Sequence, residues 1–193
     1  MSLLIVGLVL FLGVHSVAIV APALRARTVQ RLGEGAWKGL YALVSLIGFA
    51  MICYGFGLAR PTTPMLYAPP AWARHAALIL LLPVFPLLLA AYLPGRIKSA
   101  AKHPMLAAVK LWAFAHLLAN GSLADVLLFG GFLGWAVMDR ISLKRRPAQA
   151  LRTAPPGPWN DVISVVLGLA IYALLIAWAH LKLFGVSPLS AMT

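Results

Sequence analysis

The sequence is poor in negative charge and in charged residues of either sign. Of its 193 residues only four are Asp or Glu, against 16 Lys and Arg, and charged residues make up 10% of the chain. Apolar residues account for 62%, and the mean hydropathy is +0.93. These values lie far from the average of soluble proteins. The composition therefore indicates an integral membrane protein and leaves no room for a separate soluble domain.

Two further absences exclude particular classes of protein. The single cysteine, Cys53, rules out an internal disulfide and the C-x-x-C-H attachment of a c-type haem. No Lys or Arg precedes Arg25, so the basic leading region of a secretory signal peptide is missing. We therefore expect the N-terminal apolar run to be retained as the first membrane helix. The chain also lacks internal repeats and phosphate-cradling loops.

Six apolar runs are spread over the whole chain. A bilayer core about 30 Å thick takes roughly 20 apolar residues per helical crossing, so we expect about six transmembrane helices. The predicted crossings are Leu3–Ala23, Trp37–Ala59, Trp72–Leu93, Pro104–Ala119, Ser122–Met138 and Asp161–Phe184. Backbone groups in lipid must pair within their own segment. The predicted fold is thus an all-α polytopic bundle, with residues 1–193 forming a single membrane domain.

The positions of the basic residues predict the orientation in the membrane. Twelve of the 16 follow the first, third or fifth crossing: Arg25, Arg27, Arg31, Lys38, Arg96, Lys98, Lys102, Arg140, Lys144, Arg145, Arg146 and Arg152. By the positive-inside rule these loops are cytoplasmic and both termini are periplasmic, in a bacterial inner membrane. We interpret the basic loops as a topology signal in contact with anionic lipid headgroups, and expect no nucleic-acid partner.

Prolines and glycines within the crossings predict bends and close contacts. Pro83 and Pro86 each remove a backbone donor and should bend the third crossing. Gly130 and Gly134 have the small-xxx-small spacing that lets a neighbouring helix approach closely.

The connection between the fourth and fifth crossings carries helix-end signals. Asn120 and Gly121 should end the fourth helix, which begins with Pro104 in its first turn. Ser122 can cap the fifth helix, with Asp125 at the third position, where a carboxylate favours the helix start.

Two of the five histidines are predicted to lie deep in the hydrocarbon. His15 is about 12 residues, roughly 18 Å, from the outer end of the first helix, and His116 is as far from the inner end of the fourth. An unpaired imidazole there costs several kcal/mol. Each must therefore find a partner, either a hydrogen bond to another helix or a metal, and the sequence leaves both alternatives open.

Among metals, haem iron suits two histidines without nearby acids. Mg²⁺ and Ca²⁺ prefer oxygen ligands, and catalytic zinc normally takes three protein ligands, whereas haem iron needs one or two imidazoles and an apolar slot. Trp112 and Asn120 lie one turn from His116 and could line such a slot. Lys110 could reach a haem propionate or extend to the headgroups.

Several stretches together resemble a known family of bacterial membrane proteins. These are "LFLGVHS", "WKGLYALVSLIGF", "PPAWARH", "AAYLPGRIK" and the run from Lys102 that contains "KHPMLAAVKLWAFAHLLANG". They look like the NnrU family, and the last stretch is the most specific. That family is similar in turn to 15-cis-zeta-carotene isomerase, a membrane enzyme with haem b. The resemblance implies a bis-histidine haem b, with His116 of the A-H pair and His15 of the early H-S pair as iron ligands.

The resemblance implies two different functions. The first is a haem-dependent cis-trans isomerase that acts on a lipid-soluble isoprenoid or polyene and is gated by redox state. The second is a non-enzymatic electron-transfer, sensing or assembly protein that works with nitric oxide reductase components in denitrification.

Overall fold

The computed structural model describes residues 1–145 and 153–189. Regular structure in these residues is helical, with one isolated β-bridge between Met65 and Ser122. The described residues form two compact units, the first made of residues 1–69 and 120–145 and the second of residues 70–119 and 153–189. The all-helical fold predicted from the sequence is confirmed for the described residues. Arg146 and Arg152, predicted to be cytoplasmic, lie outside them.

The first unit is built on three long helices, α1 (Ser2–Val20), α2 (Pro22–Ala59) and α7 (Leu123–Ser142). A short 3-10 turn, Arg60–Thr62, continues α2. Both α2 and α7 pack against α1.

The start of α2 corrects the predicted boundaries of the first two crossings. We expected the first crossing to run to Ala23, but α1 ends at Val20 because Ala21, the residue before Pro22, leaves helical geometry (φ −139°, ψ 56°). Pro22 then begins α2 in the first helical position, where its missing N–H costs nothing. The basic segment that we expected to precede the second crossing is therefore part of α2.

Within α2 the helix is kinked at Gly33, whose φ of 83° lies in the left-handed region that favours glycine. The predicted crossing Trp37–Ala59 corresponds to the part of α2 beyond this kink, and its end at Ala59 is confirmed.

Glycines bring α1 and α2 into close antiparallel contact. A Cβ placed on Gly55 would lie 2.5 Å from the Leu4 nitrogen, and one on Gly48 would lie 2.8 Å from the Phe11 nitrogen. On the opposite helix, a Cβ on Gly7 would lie 2.7 Å from the Ile52 nitrogen. The two backbones thus approach to a distance that no larger residue allows.

The close approach that the spacing of Gly130 and Gly134 allows is not made within the described part of the first unit. A Cβ built on either residue meets no atom within 4 Å in the described part of the chain. Their neighbour Gly131 is the α7 glycine that faces α1, where a Cβ would make ordinary contact with Leu12 at 3.5 Å. The spacing of the glycines is present, but that side of α7 is not the one packed on α1.

The second unit consists of shorter helical pieces. They are α3 (Ala71–Leu81), α4 (Val84–Ala90), α5 (Arg96–Ala101), α6 (Pro104–Ala119), α8 (Asn160–Leu174), a π-helical segment (Leu175–Ala179) and α9 (His180–Phe184). Here α4 packs against both α6 and α8, and α3 packs against α6.

Pro83 divides the predicted crossing Trp72–Leu93. Helix α3 ends at Leu81 and α4 begins at Val84, so the predicted bend is a break in the helix. Pro86 does not bend α4, because it lies in the first turn, where a proline needs no helical donor.

Among the other predicted helix ends in the second unit, both ends of α6 and the end of the last crossing agree with the structure. Helix α8 begins one residue before the predicted Asp161, and α4 ends at Ala90 instead of at the predicted Leu93. Helix α6 has the predicted bounds, and the last crossing ends at Phe184 as expected, followed by Gly185 in the left-handed conformation (φ 69°). Helix α5 was not predicted and lies in the basic segment after the third crossing.

Four helical segments in the described residues are long and apolar enough to cross a membrane. They are Ser2–Val20, Pro22–Thr62, Ala71–Ala90 and Asn160–Phe184. Helix α6 is apolar but has only 16 residues, about 24 Å of helix. Helix α7 has 20 residues but contains Asp125, Asp139 and Arg140.

Replacing Gly55 by Ala should destabilise the α1–α2 contact, because the added methyl group overlaps the backbone at Leu4. We expect a loss of about 1–3 kcal/mol in the free energy of unfolding. Gly57→Ala is the matched control: it lies on the same helix, gains the same helix propensity, and meets no atom within 4 Å. Thermal unfolding in detergent measures both variants. Equal melting temperatures for the two would contradict the proposed overlap.

Candidate functional site

His15 lies on α1 with one ring nitrogen held by its own helix. Its Nδ1 is 2.6 Å from the carbonyl oxygen of Phe11, one turn earlier. A carbonyl oxygen can only accept a hydrogen bond, so Nδ1 must carry the proton. In the neutral imidazole the lone pair is then on Nε2.

Aromatic side chains from all three helices of the first unit surround this imidazole. Phe11 stacks on it with ring centroids 4.2 Å apart, and the Tyr41 ring on α2 lies at 5.1 Å. Trp135 on α7 presents its ring at right angles, at 5.9 Å. The half-buried His15 side chain is thus held by one hydrogen bond and three rings.

Two polar groups near this cluster have no hydrogen-bond partner among the described residues. The indole Nε1 of Trp135 and the hydroxyl of Ser45, one turn along α2 from Tyr41, are both buried without a hydrogen-bond partner there. Tyr41, Ser45 and Trp135 were not among the residues predicted from the sequence, because no local pattern marks them.

His116 repeats the local geometry of His15 on α6. Its Nδ1 is 2.8 Å from the carbonyl oxygen of Trp112, again one turn earlier, and the two rings lie 5.3 Å apart. The same argument assigns the proton to Nδ1 and the lone pair to Nε2. His116 lies three residues before the end of α6 at Ala119.

The remaining predicted site residues fall into different units. Lys110 and Trp112 lie on α6 with His116 in the second unit, whereas Asn120 belongs to the first unit, as does His15. Lys110 is half-buried, and in the described residues it makes no ion pair.

Asn120 makes contacts that fix the loop before α7. Its side-chain oxygen lies 3.5 Å from Nη2 of Arg60, and its carbonyl oxygen accepts a hydrogen bond of 2.6 Å from the Tyr67 hydroxyl. The neighbouring Gly121 carbonyl accepts from the Leu66 nitrogen at 2.8 Å. The segment after α2 is therefore tied to the start of α7.

The predicted cap of α7 is confirmed. Ser122 and Asp125 form a capping box: the Ser122 side chain accepts from the Asp125 backbone nitrogen, and Asp125 Oδ2 accepts from the Ser122 nitrogen at 3.0 Å. Asp125 is only 3% exposed. Its negative charge reaches Tyr67, where burial first and this charge second raise the pKa of the phenol above its usual value.

Comparison with known proteins identifies the family. A family model described as "NnrU protein" matches residues 3–188, a range that includes His15 and His116. The chain belongs to the NnrU family. No curated protein and no solved structure matches it. In the described part of this NnrU-family chain, no three His, Cys, Asp or Glu side chains come together in a group that could hold a metal ion.

Replacing Tyr67 by Phe removes the donor to Asn120 and should cost about 0.5–1.5 kcal/mol of stability at neutral pH. Because the pKa of Tyr67 is raised in the folded protein, its contribution is fully present below the unfolded pKa of about 10. It is lost as the pH rises through the folded pKa, since a phenolate cannot donate.

Melting temperatures of the unchanged protein and the Tyr67→Phe variant, measured from neutral to strongly alkaline pH, check this expectation. Tyr92→Phe serves as control, since Tyr92 is 48% exposed and its hydroxyl makes no hydrogen bond among the described residues. A gap between unchanged protein and Tyr67→Phe that persists undiminished at the alkaline end would contradict it.

Proposed function

We propose that this NnrU-family protein binds haem b, with Nε2 of His15 and Nε2 of His116 as the two iron ligands. The observation that carries the proposal is the geometry that the two histidines share. Each sits on an apolar helix and donates from Nδ1 to a carbonyl oxygen one turn earlier. Metal-binding histidines almost always donate their other ring nitrogen in this way, which fixes the tautomer and orients the ring.

The donor chemistry of these residues fits haem better than other metal sites. Imidazole is a good iron ligand, and haem needs no more than two. Calcium and magnesium prefer oxygen ligands, whereas Nε2 of each histidine is a nitrogen donor. Lys110, half-buried and without an ion pair in the described residues, is a candidate partner for a propionate.

When bound, the haem would supply one-electron redox chemistry. The residues of this chain would bind the haem iron and orient the two histidine rings. Phe11, Tyr41 and Trp135 would restrict the rotation of the His15 ring. The Trp112 carbonyl orients His116. With both histidines engaged, activity should depend on reduction or on release of one histidine.

For the activity itself, we propose redox-gated cis-trans isomerisation of a lipid-soluble isoprenoid or polyene. The proposal rests on the resemblance to the carotene isomerase and on the two histidines. Isomerisation involves no net redox change, so it needs no partner protein to carry electrons away. Purified, reduced protein should convert a cis polyene in detergent without added enzymes.

The alternative is a non-enzymatic role in electron transfer, sensing or assembly for nitrite and nitric oxide reduction. It is supported by membership of the NnrU family. Under this alternative, nitric oxide should perturb the haem spectrum, and cis polyenes should remain unchanged.

We further propose that the chain crosses the bacterial inner membrane six times with both termini in the periplasm. The four long apolar segments support membrane insertion. The shorter α6 and the more charged α7 would supply the other two crossings. The distribution of basic residues supports the orientation.

Haem content tests the ligand assignment. Protein purified without added haem should contain haem b by the pyridine haemochrome assay, and His15→Ala and His116→Ala should each lower the content roughly tenfold or more. His180→Ala is the matched control, because its Nδ1 also faces a carbonyl oxygen, that of Val186 at 2.6 Å. Absence of haem from the unchanged protein, or equal haem in all three variants, would refute the assignment.

Cysteine labelling tests the orientation. In a Cys53→Ala background, a cysteine at Met65 should react with a membrane-impermeant maleimide in intact cells. A cysteine at Ala100 should react only after the membrane is opened. Both positions are exposed in the structure. The reverse pattern, or labelling of both in intact cells, would rule out the proposed topology.

A further inference from the structure

The second unit contains an open apolar cleft of about 340 Å³. Its lining comes from the break between α3 and α4, from α5 and from α8, and consists of Leu82, Pro83, Leu87, Ile97, Val165 and Leu169, together with Pro86. No polar atom contributes to the lining. The cleft is therefore suited to a hydrocarbon chain.

The shape of the cleft follows from the proline break and one close helix contact. The helix is interrupted at Leu82 and Pro83, between the end of α3 at Leu81 and the start of α4 at Val84. At Pro86, α4 touches α8: a Cβ on Gly168 would overlap the Pro86 backbone. Val165 and Leu169 flank Gly168 on α8 and form the wall beside this contact.

One end of the cleft is fixed by hydrogen bonds to the start of α8. The Asp161 carboxylate accepts from the backbone nitrogens of Arg96 and Ile97, at 2.8 and 3.1 Å. Asn160 Nδ2 donates to the Pro94 carbonyl oxygen at 2.8 Å. These bonds hold α5 in place, and they position Ile97 in the lining of the cleft.

Three basic residues, Arg96, Lys98 and Lys102, lie on the short helix α5 or directly after it, and Arg96 is the chain neighbour of Ile97 in the lining. Arg96 and Lys102 are exposed, and the ammonium group of Lys98 donates to the Ala91 carbonyl oxygen at 2.9 Å. Residues 70–119 contain no Asp or Glu, and residues 153–189 contain only Asp161. That carboxylate, bound to the α5 backbone, keeps its negative charge, but the three basic residues Arg96, Lys98 and Lys102 outnumber it by two, so this segment carries a net positive charge.

We propose that the cleft and α5 form a binding site for a phospholipid with an anionic headgroup. One acyl chain lies in the cleft past Ile97, and the phosphate lies at Arg96 and Lys102. A neutral hydrocarbon would fill the apolar cleft but would not neutralise the cations, and a soluble phosphate would neutralise the cations but would leave the cleft empty. An anionic lipid has a part that suits each. Basic pockets among membrane helices on the cytoplasmic side are a known mode of lipid recognition. The proposal does not depend on haem.

Lipid binding by the full-length protein tests this site. Delipidated protein in detergent is titrated with phosphatidylglycerol and with phosphatidylcholine of the same acyl chains, and bound lipid is counted by native mass spectrometry. We expect one tightly bound phosphatidylglycerol per chain and weaker binding of phosphatidylcholine. The double variant Arg96→Gln/Lys102→Gln should weaken phosphatidylglycerol binding roughly tenfold or more.

The matched control is Arg25→Gln/Arg27→Gln, which removes two charges from the basic start of α2 in the first unit. It should leave the affinity within about twofold. Because the Arg96 backbone nitrogen, not its side chain, binds Asp161, the test variant keeps the bond that holds α5. Equal binding of the two lipids, or an equal loss in both double variants, would overturn the proposal.

A cleft-filling variant tests the acyl chain separately. Val165→Phe should weaken phosphatidylglycerol binding with Arg96 and Lys102 intact, while glycerophosphoglycerol, the same headgroup without chains, should not compete with the lipid. Leu169→Phe is the second variant should Val165→Phe fail to fold. Unchanged lipid binding in the folded variant, or full competition by the soluble headgroup, would show that the cleft takes no part.

Discussion

The need to pair polar groups on apolar helices is the constraint on which the structure depends. An imidazole in an apolar segment costs several kcal/mol if nothing accepts or donates to it. His15 and His116 meet half of this need within their own helices, through the carbonyl oxygens of Phe11 and Trp112. The same bond determines that Nε2, the outer nitrogen, keeps its lone pair. The functional proposal follows from that lone pair.

The same constraint explains the few carboxylates. Asp125 binds the backbone nitrogen of Ser122 at the start of α7, and Asp161 binds two backbone nitrogens at the start of α5. Both acids serve as acceptors for helix ends that would otherwise leave donors unpaired. Two of the four acids thus bind the backbone at helix ends. In the described residues of the unit that contains α5, Asp161 is the single carboxylate side chain. Because acids are few, the basic residues at α5 outnumber the carboxylates there, and this excess of positive charge is the basis of the proposed site for an anionic lipid.

Sequence signals that act locally predicted local structure well. Pro104 marked the start of α6, Pro83 marked the break after α3, and Ser122 with Asp125 marked the cap of α7. Each depends on the backbone chemistry of a few adjacent residues. The start of α2 was missed because a basic segment was interpreted as a loop, although Pro22 favours a helix start as much as a helix end.

Features that depend on packing could not be predicted in the same way. The spacing of Gly130 and Gly134 suits close approach, but spacing does not say which helix face meets a neighbour. Tyr41 and Trp135 reach His15 only through the pairing of α2 and α7 with α1. By contrast, the prediction of His15 as a ligand used only residue type and position in the chain, and it stays a prediction.

The central claim is that two imidazoles hold one iron, and a haem titration of haem-free protein tests it most directly. We expect saturation at one haem per chain, with the absorption spectrum of a six-coordinate, low-spin haem in the oxidised state. No saturable binding, or a five-coordinate, high-spin spectrum at saturation, would contradict it.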